Sequence, residues 1–231
     1  MRGEKGPASD EYDRKRAQVL EKLRDFDLLK KADIEEYGLV PFAFHPNNQR
    51  RFDFFTSWDP AALGARYSQW EAPIHYAIGP NKKSKKEKEK RFEMALKAGM
   101  KYYPERLGFL FCKDEGMTAC KQAFDKIGVD ISMNIIRRCI PPSDNHPILH
   151  HVIWHAPDLE DDIGQYYPDA VFLRDTNGHT LSQLKFYTNW RRGTKTFRKS
   201  SSFFIGATDN QVNSIHPETG LCPLMLAAVG N

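Results

Sequence analysis

The sequence predicts an all-α fold, built of helix-turn-helix units that follow an N-terminal helical extension. Three observations carry that expectation. Apolar residues recur at helical spacing, as at Phe92, Ala95, Leu96 and Gly99. Prolines stand where helices would open, at Pro73, Pro147 and Pro223, a position at which a missing backbone N–H removes no intrahelical bond. Turn glycines Gly116, Gly178 and Gly220 each come just before a threonine or proline that suits a helix start.

Composition bounds the rest. The chain has 231 residues, 40% hydrophobic and 28% charged, an ordinary balance for a globular protein. No apolar run is long enough to suggest a membrane span. Met1 to Lys15 is polar and charged, so no secretory signal is expected. Cys112, Cys120, Cys139 and Cys222 show no paired spacing, which points to free thiols and an intracellular setting, cytoplasmic or nuclear. The net charge of +4 is concentrated: Lys82 to Arg91 holds seven basic and two acidic residues.

Taken in order, residues 1–9 read as a disordered tail, rich in glycine, proline and charge. Residues 10–57 form a helical, aromatic-rich extension. Its helix is capped by Ser9 or Asp10 and runs to about Lys31, with Val19, Leu23 and Phe26 at helical spacing. Gly38 and Pro41 end the helical tendency, and Phe42 to Asn48 reads as a loop. Phe52, Phe54, Phe55 and Trp58 are dense enough to dock on the remainder. Asp59 to Leu63 is a short capped helix with Pro60 at its first position.

Residues 58–231 then read as helix pairs. Pro73 opens the first helix and Phe92 to Tyr102 is its partner, with Gly79 to Arg91 as an insertion. Residues 118–127 and 131–139 make the next pair, and 148–154 and 159–167 the third. Leu181 to Tyr187 opens a fourth, whose partner begins near Ser202.

The final stretch, His216 to Asn231, places a turn at Gly220 before Pro223 and the small apolar face Leu224, Leu226, Ala227, Ala228. It resembles the ankyrin repeat, whose pattern is a turn, Gly, Thr-Pro-Leu-His and a pair of alanines. Partial copies lie upstream: Ala72-Pro73-Ile74-His75-Tyr76-Ala77, Asp114 to Thr118, His146 to His150, and Asp175 to Thr180. Their spacing scatters about the roughly 33 residues of that repeat. The resemblance implies a degenerate stack of repeats, an α-solenoid, with Pro73, Gly116, Thr118, Pro147, Gly178, Thr180, Gly220 and Pro223 as its turn and helix-start residues. A compact all-helical domain is the competing architecture. The resemblance also implies a non-catalytic scaffold that takes a protein partner and needs no cofactor. The last motif stops before its second helix, so the chain is expected to be a fragment of a longer array.

No catalytic, cofactor-binding or metal-binding residue is assigned. His151 and His155 lie at i, i+4 with His146 and His150 nearby, but the spacing identifies no third ligand and no intervening Glu. The alternative function is nucleic-acid or acidic-partner binding through two basic stretches. The first is Lys82, Lys83, Lys85 and Lys86; the second is Arg191, Arg192, Lys195, Arg198 and Lys199, interleaved with Trp190 and Phe197. The plainer reading of the first stretch is a solvated insertion or the charged first turns of a helix.

Overall fold

A computed structural model describes residues 7–45, 48–66, 72–79, 83–143 and 147–191, and these are mostly helical. Gly220, Pro223 and the helix expected from Ser202 lie outside the described residues. The chain divides into two compact units, residues 1–139 and 140–231.

The first unit opens with α1 (Pro7–Asp25), α2 (Lys31–Glu36), α3 (Leu39–Ala43) and α4 (Gln49–Trp58). Three expectations fail here. Pro41 does not end a helix; it sits three residues into α3, within the first turn, where backbone N–H groups have no intrahelical partner to lose. The presumed loop is therefore partly helical, and the aromatic segment behind it is α4, which buries Phe52, Phe54 and Phe55. α1 also ends at Asp25 rather than near Lys31. Its contact with α4 is ionic: buried Asp13 accepts from Arg51 Nε at 3.0 Å and from the Arg50 backbone N–H at 2.9 Å. Val19 and Phe26, the expected apolar face, remain exposed at 56% and 72%.

A 3-10 turn, Pro60–Leu63, leads towards α5 (Pro73–Ile78), with Pro73 at its first position. α6 (Lys85–Tyr102) is longer than expected. Ser84 caps it, its Oγ accepting from the Glu87 N–H at 3.2 Å, so most of the presumed insertion is helix. The lysine-rich run can be helical because Lys88, Arg91 and Phe92 form its buried side. α5 packs against α6, and α3 and α4 rest against α5 and α6 respectively.

After α6, Pro104–Phe109 turns the chain sharply. Leu107, Gly108 and Phe109 all take positive φ, at 46°, 59° and 66°. The turn lies directly on α6: a Cβ at Gly99 would stand 2.6 Å from the Gly108 carbonyl oxygen. Two backbones meet there, and only glycine at both positions allows it. β1 (Lys113–Asp114) and β2 (Met117–Thr118) then form a two-stranded hairpin. α7 (Ala119–Ile127) packs on α5 and α6, and α8 (Val129–Cys139) packs on α6 and α7.

In the second unit, α9 (Ile148–His155) is followed by α10 (Glu160–Gly164) and α11 (Leu181–Arg191), and α9 packs on both. Tyr167 ties down the connection by donating its hydroxyl to the Ile140 carbonyl at 2.8 Å. Lys185 on α11 pairs with Glu160 on α10 at 2.7 Å. No described helix is long and apolar enough to cross a membrane.

Candidate interaction surface

Among the described residues, those singled out as turns and helix starts fall into two related arrangements, one in each unit. In the first unit, the β1–β2 hairpin turns through Glu115 and Gly116, both at positive φ (47° and 84°). Two consecutive positive-φ residues define the mirror-image turn that matches strand twist, and glycine takes the second place without strain. Thr118 ends the hairpin and caps α7, its hydroxyl accepting from the Lys121 N–H at 3.2 Å. In the second unit, Arg174 and Thr180 bridge across a turn in which Gly178 has φ 81°. Asp175 Oδ1 accepts from the N–H groups of Asn177 and His179, at 2.9 and 2.8 Å. Thr180 then opens α11: its N–H donates to Gln183 Oε1 at 2.9 Å, while the Gln183 N–H approaches its hydroxyl at 3.4 Å. That reciprocal pair is a capping box. The Thr180-x-x-Gln183 spacing was there to be read in the sequence, and sequence reasoning missed it.

A buried histidine ties each hairpin to the helix that precedes it in its own unit. His75 lies three residues past the residue flanking the start of α5, and His150 holds the same place in α9, after Pro147. His75 Nε2 donates to the Cys112 carbonyl at 3.1 Å, just before β1. Its Nδ1 lies 3.0 Å from Oε1 of Gln122 on α7. His150 Nε2 donates to the His179 carbonyl at 2.9 Å, just before Thr180. Its Nδ1 is buried without any partner. Burial holds the His150 imidazole below its ordinary pKa, against the opposing pull of the His179 carbonyl and the Asp175 carboxylate.

The first basic stretch is divided by α6. Lys88 and Arg91 turn inward. Arg91 donates from Nη2 to the Tyr76 carbonyl at 3.2 Å, placing its charge at the negative end of α5. Its Nε and Nη1 have no partner, and burial lowers its pKa. Lys83 pairs with Glu87 at 3.2 Å. Lys85, Lys86 and Lys90 point outward. Lys86 and Lys90 flank a groove of about 660 Å³ between α6 and α8, opposite Arg137 and Arg138 and floored by Ile131 and Ile135. Glu93 on its edge is already engaged, by Lys97 at 2.8 Å and Arg138 at 3.4 Å.

Lys82, Arg192, Lys195, Arg198 and Lys199 lie outside the described residues, and Arg191 is described only as the last residue of α11. His151 and His155 stack on α9 with ring centroids 5.9 Å apart. Among the described residues, no three His, Cys, Asp or Glu side chains gather into a set that would hold a metal.

No protein-family model, curated protein or solved structure matches this chain.

Proposed function

We propose that the chain is a non-catalytic interaction scaffold made of ankyrin-like helix pairs, taking a protein partner at the hairpin of its first unit. The observation that carries this reading is a partial recurrence: a histidine at the same place in α5 and α9 reaches a backbone carbonyl beside a glycine turn, Cys112 before the first turn and His179 after the second, and the threonine following each turn caps the next helix. Packing within the first unit supports it. α5 lies on α7 and α6 on α8, as first helices meet first helices and second meet second in a stack. Turn–helix–helix units cannot bury an apolar face alone, so such a stack has a structural purpose and leaves its hairpins free for recognition.

Met117, an apolar side chain 42% exposed on β2, is the residue through which the hairpin side is tested. Partners are captured from a native extract on the 231-residue chain and on M117E. The same partner should be retained by the wild type and depleted roughly tenfold on M117E, with unchanged circular dichroism. Equal retention on both would remove the hairpin side as the binding face.

A further inference from the structure

We propose that the groove between α6 and α8 is a docking site for an acidic, amphipathic peptide segment of a partner protein. The inference rests on the scaffold reading and adds to it a second surface, away from the hairpin, and the chemistry of its occupant.

The first observation is electrostatic. Ser84 caps α6, so its N-terminal end carries the positive pole of the helix dipole. Acidic residues belong there. Instead Lys85, Lys86, Lys88, Lys90 and Arg91 crowd the first two turns, with only Glu87 and Glu89 among them. Lys86 and Lys90 are neighbours at i, i+4, a like-charge pair that works against the helix. Neither has a carboxylate within ion-pair distance among the described residues. Arg137 and Arg138 face them from the last turn of α8, where a cation suits the helix. The α6 wall is thus cationic against the local preference of the backbone, while on the α8 wall Arg138 is paired with Glu93. Negative charge from outside relieves that repulsion.

The second observation selects the kind of anion. The floor is Ile131 and Ile135, aliphatic side chains that reward apolar contact and offer a nucleobase no ring to stack on. Glu89 and Glu93 interrupt the basic rim, which penalises a chain carrying a charge on every unit, as a nucleic acid does. A peptide that alternates carboxylates with leucine-like residues meets lysine and arginine on the walls and isoleucine below. A volume of about 660 Å³ accommodates several side chains of such a segment.

The test uses the full chain with three fluorescein-labelled probes at low salt: a peptide alternating glutamate with leucine, an oligoglutamate of equal charge, and an oligothymidylate. Fluorescence anisotropy should show the glutamate–leucine peptide binding most tightly, and weakening as salt is added. K86E/K90E should reduce its affinity about tenfold or more. The same variant should melt at an equal or higher temperature, because it removes like charges from the positive end of α6. Loss of binding without loss of stability separates a docking role from a structural one. R137E/R138E, on the opposite wall, should weaken the peptide likewise. Tighter binding of oligothymidylate, abolished by K86E/K90E, would overturn the proposal in favour of nucleic acid. Absence of peptide binding, or binding indifferent to both double variants, would overturn the groove itself. The scaffold reading stands or falls separately on M117E, which leaves the groove intact.

Discussion

The two histidine-tied hairpins use the same parts and satisfy them unequally. His75 is 1% exposed and has partners at both ring nitrogens. His150 is 2% exposed and has a partner at only one. The second hairpin compensates locally. Asp175 collects two backbone N–H groups and the His179 ring, and Thr180 and Gln183 close a capping box. The first has the shorter turn and the simpler cap, and leans on Gln122 from the next helix. Both hairpins have a tertiary link to a histidine; the first adds a second one through Gln122, the second adds more bonds within its own sequence.

The largest effect that would break this contrast is removal of the histidines. His75→Ala vacates a filled position and strands both the Cys112 carbonyl and the Gln122 amide, at a cost of about 3 kcal/mol. His150→Ala should cost less, about 2 kcal/mol, because it also removes a buried nitrogen that has no partner. Hydrogen–deuterium exchange should quicken in 113–127 for the first variant and in 174–191 for the second. A larger loss for His150→Ala would reverse the ranking of the two links.

The turns come next. Gly178→Val forces a β-branched residue to positive φ and should cost about 1–3 kcal/mol, read by chemical denaturation. Gly116→Asn should cost roughly 0.5 kcal/mol or less. Asparagine tolerates the left-handed region, and nothing lies within 4 Å of a Cβ placed there. A severe loss in Gly116→Asn would mean that the first hairpin depends on its turn rather than on His75.

Acid should give the smallest effect, and only on the second hairpin. Because the folded pKa of His150 is lowered, the unfolded chain binds the proton first as pH falls. The stability contributed by the neutral ring is complete above about pH 6.5, the unfolded value, and is lost as pH falls from there towards the folded value. Protection in 174–180, corrected for the intrinsic pH dependence of exchange, should therefore fall below about pH 6.5, and His150→Asn should flatten that dependence. An unchanged pH profile in His150→Asn would assign the sensitivity to another group.

Much of the helical part of the fold was legible in the sequence, for a local reason. Pro73, Thr118 and Thr180 stand at helix starts and Gly116 and Gly178 at positive φ. Caps and turns are settled by a few adjacent residues, so their signals survive in a single sequence. Failures came where burial, not local chemistry, decides. Lys82 to Arg91 read as a solvated insertion or the charged first turns of a helix; from Lys85 on it is the latter, but the sequence did not show that Lys88 and Arg91 would be covered. Val19 and Phe26 looked like an inward face and remain exposed, while α1 buries Ala17 and Asp13 instead.

The sequence by itself determined where helices start and where the chain turns, since those choices rest on backbone groups and side chains within one turn of each other. Only the tertiary structure decided which charges face inward, which lysines line a groove with Arg137 and Arg138, and which carbonyl each histidine meets. His75 meets Cys112 at a separation of 37 residues and His150 meets His179 at 29. No periodicity or capping rule reaches that far: such contacts form only when packed helices bring the two ends of a loop together.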